Sequence, residues 1–263
     1  MEAVKRALRV FTQMAKVSLA SSLAYRANFI LNLVITLLSN LLVPLVTVLI
    51  YAAGASIPGW SFHEALLVQA AFMLSTGLCS PFFYNMVWVT MQHIRDGSYD
   101  LLLIKPGSVL VLSIASSIDP DDIGVFIGGL AMFVYALSGV AAANIWNWLQ
   151  FACFFLASIT LNLGLVLIMS ATSFKWVGMS RIFEIYDSIT IFGRYPGTVF
   201  PKALMFATSF VLPVATLGFL PASALLGRND GPMLLAIVPC LGLAGIGALM
   251  FTRMVGKYRS AGG

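Results

Sequence analysis

The sequence has few charged residues and few cysteines, and both shortages exclude classes of protein. Only 10% of its 263 residues are charged and 60% are apolar, against about 25% and roughly 45–50% in soluble domains. A soluble fold of this size could not cover its surface with so few charges. Cys79, Cys153 and Cys240 are isolated within apolar stretches, which favours packing over a disulfide or a metal site.

Motifs for catalysis and for nucleotide binding are also missing. Gly256-Lys257 is the only Gly-Lys pair, and it lacks the upstream Gly and the following Ser or Thr of a phosphate-binding loop. His63 and His93 stand alone, without a Ser-His-acid set or a His-Glu-x-x-His motif. We therefore expect no catalytic residue, cofactor or metal in this chain. Any ATP and Mg²⁺ would be bound by a separate polypeptide.

Long apolar blocks dominate what is present. The mean hydropathy is +0.95, and a bilayer core of about 30 Å needs about 20 apolar residues per helix. Six blocks meet this need, at residues 27–51, 66–91, 123–140, 148–173, 203–222 and 232–251. We therefore predict an all-α integral membrane protein, with six transmembrane helices in a single domain over residues 1–263.

The basic residues orient these predicted spans. With both termini in the cytoplasm, fourteen of the fifteen Lys and Arg residues fall on the cytoplasmic side, Arg194 and Lys202 among them. Only Arg228 then lies outside, as the positive-inside rule requires. The net charge of +5 is explained by this topology and by anionic lipid, so no nucleic-acid partner is expected.

Residues 1–26 precede the first block and are amphipathic. Val4, Leu8 and Phe11 recur at helical spacing opposite Lys5 and Arg9, which predicts an interfacial helix on the inner membrane surface. An ordinary basic flank that only sets orientation is the alternative.

A polar segment, IRDGSYDLLLIKPGS at residues 94–108, interrupts the apolar sequence after the second block. Gly97 can end a helix, Asp100 can cap a short apolar turn over residues 101–104, and Pro106 can stop that turn. Exposed apolar groups with charged neighbours are typical of a docking surface. The alternative is that the turn merely dips into lipid.

Two motifs in this sequence resemble those of a branch of the ABC-2 type permeases, the membrane subunits of bacterial ABC exporters. The first is Arg95-x-Gly97-x-Tyr99-Asp100-x-Leu102-x-x-Lys105-Pro106. The second is Phe192-Gly193-Arg194-Tyr195-Pro196 with Pro201, then Phe210-Val211-Leu212-Pro213 and Pro221-Ala222-x-Ala224-Leu225-Leu226-Gly227-Arg228. The order and orientation of the six predicted spans also agree with this family.

The resemblance implies a coupling role for residues 94–108, which would fit into a cleft of an ABC ATPase subunit. Charged contacts would come from Arg95, Asp100 and Lys105, the apolar turn with Leu101 and Leu102 would fill the cleft, and Gly97 and Pro106 would set the shape. It further implies a second permease, identical or homologous, in the bacterial inner membrane. The resemblance does not identify the exported compound, and the apolar interior would accept a lipid, an amphipathic drug or a peptide alike. A non-transporting scaffold or assembly factor that docks a cytoplasmic protein remains the alternative.

One polar stripe runs down the first predicted span, where Asn28, Asn32, Thr36 and Asn40 recur every four residues. Such side chains need partners in hydrocarbon, so the stripe faces protein or water. It either lines a transport path or holds helices together. No ionisable residue lies in the middle of any of the six blocks, so coupling to an ion gradient lacks its usual groups.

Three further patterns accompany the spans. Residues 174–200 are amphipathic and predict a cytoplasmic or interfacial elbow, which either contacts the ATPase or simply underlies the bundle. Asp119-Pro120-Asp121-Asp122 is a strong helix start, favoured over a metal site. Two small-residue faces predict close helix packing or dimerisation, at Gly124 and Gly128 and at Cys240, Ala244 and Ala248.

Overall fold

A computed structural model of the protein describes residues 2–105, 107–176, 181–229 and 231–259. Within these ranges the regular structure is helical and no strand occurs. Pro106, predicted to shape the polar segment, and residues 177–180 of the predicted elbow lie outside the described residues. The α-helices are α1 (Glu2–Ala24), α2 (Arg26–Ala52), α3 (Phe62–Cys79), α4 (Met86–Arg95), α5 (Asp100–Leu103), α6 (Val109–Ser116), α7 (Ile123–Leu137), α8 (Ile145–Ser173), α9 (Ile182–Thr190), α10 (Lys202–Phe206), α11 (Phe219–Leu225) and α12 (Ile237–Val255).

Five helical stretches are long and apolar enough to cross a membrane. They are Arg26–Ala52, Phe62–Arg95, Pro120–Leu137, Ile145–Ser173 and Pro232–Val255. Each coincides with one of the predicted blocks, and the second joins α3 to α4 through the π-helical turn Ser80–Tyr84. The chain is therefore an all-helical, multi-pass membrane protein.

The helix α3 lies at the centre of the bundle and runs antiparallel to its neighbours α2 and α7. Gln69 Nε2 donates to Thr47 Oγ1 of α2 at 2.6 Å. Gly77 lies against the backbone of Phe126, and Gly129 lies against the backbone of Leu74. A larger residue at either glycine would collide with the facing backbone, so these glycines permit the close approach of α3 and α7.

The predicted small-residue faces are packing surfaces. Gly124 of α7 lies against the Leu33 carbonyl of α2. Ala244 of α12 lies against Gly164 of α8, and Cys240 is buried. Because these contacts occur within one chain, the packing interpretation is confirmed for both faces.

The predicted fifth span, residues 203–222, is not one helix. It begins as α10 and the π-helical turn Ala207–Val211, leaves the helical conformation at Leu212 (φ −118°, ψ 88°), and resumes through the 3₁₀ turn Val214–Leu217 and α11. Pro213 explains the interruption, because proline has no N–H to donate and disfavours a helical conformation in the residue before it.

The structure describes residues 182–199 of the predicted elbow as a segment that packs alongside α3. The ring of Phe183 contacts Tyr84 at 5.6 Å, the Arg194 guanidinium lies over the Phe72 ring at 4.7 Å, and Trp60 Nε1 donates to Thr198 Oγ1 at 2.8 Å. Trp60 precedes and Tyr84 follows α3, whose 18 residues make it about 27 Å long, close to the roughly 30 Å of a bilayer core.

The two ends of the bundle are named here by the residues they carry, the Gly97 end and the Trp60 end. Parts of both terminal regions meet at the Gly97 end, where Val10 of α1 and Tyr258 pack beside Leu102. Ser18 of α1 also donates to the Ile118 carbonyl at 2.6 Å. The Gly97 end therefore gathers α1, the polar segment and the residues after α12.

Candidate functional site

The polar segment, residues 94–108, forms a tight reversal after α4. Gly97 has a φ of +67°, a left-handed conformation that glycine adopts without strain, and the short helix α5 follows at once. His93 Nδ1 and Ser98 Oγ lie 2.6 Å apart and brace the turn. Asp100 lies in the first turn of α5 and Tyr99 occupies the N-cap position, so the predicted cap at Asp100 is shifted by one residue.

Tyr99 anchors this segment to the bundle. Its side chain is fully buried, and its ring contacts Phe174 at 5.0 Å and Tyr258 at 5.4 Å. Its hydroxyl lies 3.3 Å from Ser113 Oγ. Burial raises the pKa of Tyr99 to about 12, so the phenol stays protonated. The anchor therefore links the segment to α6, to the end of α8 and to the residues after α12.

The apolar turn presents three of its four residues to the outside. Leu101, Leu103 and Ile104 are 59%, 39% and 78% exposed. Leu102 is 4% exposed and packs in a buried cluster with Ile94, Tyr99 and Leu112. Arg95 and Lys105 are exposed beside them. The outward surface is thus an apolar patch with basic neighbours, and Leu102 belongs to its support.

A polar cavity of about 340 Å³ lies inside the bundle. Its walls come from α2, from α3 and the following π-helical turn, from the start of α7, from α8 and from residues 186–194. The lining residues are Thr36, Ser39, Asn40, Phe72, Thr76, Cys79, Ser80, Phe83, Tyr84, Asp122, Val125, Asn162, Val166, Tyr186, Asp187, Thr190 and Arg194.

Three charged side chains line this central cavity, namely Asp122, Asp187 and Arg194. Arg194 lies over the ring of Phe72, and its Nε–H is shielded from solvent without a hydrogen-bond partner among the described residues. None of the six predicted blocks contains an Asp, Glu, Lys, Arg or His residue. The Arg194 guanidinium nevertheless lies over the Phe72 ring, although Arg194 belongs to the stretch that was predicted to be cytoplasmic or interfacial.

Amide and phenol groups form the neutral part of the cavity wall. Tyr186 Oη donates to Asn162 Oδ1, and Asn162 Nδ2 donates to the Ser158 carbonyl at 3.1 Å, which fixes the orientation of the amide. The rings of Tyr84 and Tyr186 are 5.2 Å apart. Sequence reasoning missed Asn162 and Tyr84 as site residues, because single polar side chains in apolar blocks show no spacing pattern.

The polar stripe of the first span divides between two environments. Thr36 and Asn40 line the central cavity, and Asn40 Nδ2 donates to the Thr36 carbonyl at 2.9 Å. Asn32 Nδ2 instead donates to Asp121 Oδ2 at 3.1 Å, and Asn28 lines a surface groove shared with Asp121. The stripe therefore faces the cavity at one height and ties helices together at another.

The three carboxylates of the acidic helix start, residues 119–122, have different contacts. Asp119 accepts from the Asp121 backbone N–H at 3.1 Å, which confirms the predicted N-cap, and its other oxygen lies 3.4 Å from Asn85 Nδ2. Asp121 holds Asn32, while Asp122 faces the cavity.

Comparison with protein families gives one result that covers most of the chain. A family model described as "ABC-2 family transporter protein" matches residues 31–262. The match includes the polar segment and every residue of the central cavity wall. Searches of curated proteins and of solved structures each returned no match.

Proposed function

Because the chain belongs to the ABC-2 family of transporter proteins, we propose that it is the permease subunit of an ATP-driven exporter in the bacterial inner membrane. A separate ABC ATPase hydrolyses the ATP. This chain forms half of the path for a lipid, an amphipathic drug or a peptide, and a second permease, identical or homologous, forms the other half.

The supported apolar patch at the Gly97 end is the observation that carries this proposal. Leu101 and Ile104 are exposed on a turn whose underside, through Tyr99, is packed against Phe174 and Tyr258. A force applied to the patch by a moving ATPase would therefore reach α8 and α12. A loop that only connected two spans would not need this combination of exposed apolar surface and rigid support.

A six-crossing topology supports this assignment. On this proposal residues 182–199 form the fifth crossing, and the interrupted stretch 202–225 dips into the bundle from the Trp60 end and returns to it. An even number of crossings puts both termini on the side of the Gly97 end. Of the fifteen Lys and Arg residues, Arg194, Lys202 and Arg228 then lie away from that end, and the positive-inside rule assigns it to the cytoplasm.

The alternative is a membrane scaffold that docks a cytoplasmic protein without transport. A scaffold has no use for a charged cavity among its spans, since buried charge is costly without a partner. The cavity therefore favours a transporter. A gene for an ABC ATPase next to the gene of this chain would support the exporter, and its absence would favour the scaffold.

The test of the coupling role changes only the exposed side of the patch. The double variant Leu101→Asp with Ile104→Asp should lower co-purification of the ABC ATPase at least about tenfold, the loss expected when an apolar interface hot spot becomes charged. Ile145→Asp is the matched control, because Ile145 is 86% exposed and lies at the Trp60 end. Equal ATPase recovery with the double variant and the control would refute the coupling role.

A further inference from the structure

We propose that the central cavity binds a compact zwitterionic group, with the anionic end at Arg194 and the cationic end at Asp187 and Asp122. The inference deepens the proposed function and rests on it, since this group would belong to the exported compound. Three properties of the cavity support this proposal. They are the contacts of Arg194, the positions of Asp187 and Asp122, and the volume of the cavity.

Arg194 is a cation at the depth of Phe72, well inside the bundle. Among the described residues it forms no ion pair, and its contacts are the face of an aromatic ring and a shielded Nε–H without a partner. A guanidinium in such a place is most strongly satisfied by a carboxylate or phosphate, which accepts two parallel hydrogen bonds. Arg194 therefore provides a site for an anionic group.

The two acidic residues, Asp187 and Asp122, require a cationic group. Asp187 lies in α9, seven residues before Arg194, and lines the same cavity. Asp122 lies on another wall of the same cavity, at the start of α7. An anion alone would be repelled by these carboxylates, and a cation alone would be repelled by the arginine. A ligand with one charge of each sign satisfies both.

The size of the cavity sets the size of the group. Small-molecule sites typically have volumes of about 300–1,000 Å³, and this cavity, at about 340 Å³, is at the lower end of that range. A headgroup fits, whereas a whole lipid or a peptide does not. Asn40 and Asn162 add neutral hydrogen-bonding groups to the wall. The structure thus favours an ammonium joined by a short linker to a phosphate or carboxylate, either free or as a lipid headgroup.

Binding to the purified full chain in phosphatidylglycerol nanodiscs tests the charge pattern. The probes are sn-glycero-3-phosphoethanolamine, sn-glycero-3-phosphoglycerol, which has the anion without the amine, and ethanolamine, which has the amine alone. By titration calorimetry the zwitterion should bind at least tenfold more tightly than either single-charge probe. In nanodiscs containing phosphatidylethanolamine, weaker binding of the soluble zwitterion would identify a lipid headgroup as the source, and unchanged binding would identify a free compound. Equal affinity for the three probes would overturn the proposal.

Variants locate the site. Arg194→Gln should reduce zwitterion affinity at least tenfold without reducing ethanolamine affinity, and Asp187→Asn should reduce ethanolamine affinity. Arg181→Gln is the matched control, because Arg181 is exposed in the same segment and does not line the cavity. If Arg194→Gln does not elute as a folded protein, Arg194→Lys replaces it, with at least a threefold loss expected. Unchanged zwitterion affinity in the Arg194 variant would overturn the assignment.

The two proposals fail separately. A chain that retains the ATPase but does not prefer the zwitterion refutes only the cavity assignment. A chain that binds the zwitterion but recruits no ATPase refutes the exporter and leaves the site.

Discussion

Asn32 and Asn40 share one helix face but have different partners, and this difference allows their roles to be separated. Asn32 donates to Asp121, whose other carboxylate oxygen is buried without a partner among the described residues. Asn40 faces the cavity and bonds only to its own helix among the described contacts. The sequence predicted the stripe but left both roles open, because periodicity does not show what lies opposite a side chain.

We expect Asn32→Leu to destabilise the protein by about 1–3 kcal/mol, since it leaves a buried carboxylate unsatisfied. Asn40→Leu should change stability by less than about 1 kcal/mol, because no other side chain loses a partner. Thermal unfolding of both variants in one detergent measures the difference. Equal destabilisation would show that Asn40 also holds helices together.

Arg194 shows where residue-level reasoning from the sequence was limited. The sequence assigned its charge to the cytoplasm because it lies between two apolar blocks. The structure places it over Phe72 inside the bundle. Counting charges between blocks does not show how deep in the bundle a side chain lies.

At the scale of elements, the long helices followed from apolar length, whereas the interrupted stretch did not. Pro44 and Pro213 both lie in predicted spans, yet Pro44 is inside the continuous helix α2 and Pro213 follows a non-helical Leu212. Proline alone does not decide between a tolerated position and a break, because neighbouring helices can satisfy the freed carbonyl. The five continuous spans were predictable, and the two short helices around Pro213 were not.

Glycines of α8 and α12 provide a matched pair for testing helix contact. A side chain at Gly164 would lie 2.8 Å from the Ala244 backbone, whereas one at Gly242 would meet nothing within 4 Å. Gly164→Ala should therefore cost about 1–3 kcal/mol through forced separation of the helices. Gly242→Ala should be neutral or stabilise by up to about 1 kcal/mol through helix propensity.

Thermal unfolding under identical conditions gives the sign of the change in stability for each of these two variants. A stability loss with Gly242→Ala as large as that with Gly164→Ala would contradict the close contact of α8 with α12 at Gly164.

At the scale of the whole molecule, the proposed six-crossing topology depends on the position of residues 182–199. The sequence placed Lys175 and Lys202 on the same side of the membrane. Phe174 packs at the Gly97 end beside Tyr99, while Thr198 bonds to Trp60 at the other end. The amphipathic pattern is present in α9, where Tyr186, Asp187 and Thr190 line the central cavity while Glu184 and Ser188 are exposed.

Single cysteines should therefore be labelled from opposite sides. In a background with Cys79, Cys153 and Cys240 replaced by serine, Lys202→Cys should react with a membrane-impermeant maleimide in intact cells. Lys175→Cys should react only after permeabilisation. Protection of both positions in intact cells would restore the cytoplasmic elbow and remove the fifth crossing.

The wall of the cavity that carries Arg194 is assembled from short turns and not from one continuous helix, with α9 followed by the 3₁₀ turns Ile191–Arg194 and Gly197–Val199. A continuous α-helix keeps its length because every residue is held by the same pattern of backbone hydrogen bonds. A series of short turns can shorten when a few backbone dihedral angles change. We therefore expect this wall to shorten and lengthen, which changes the shape of the central cavity while the neighbouring helices keep their register.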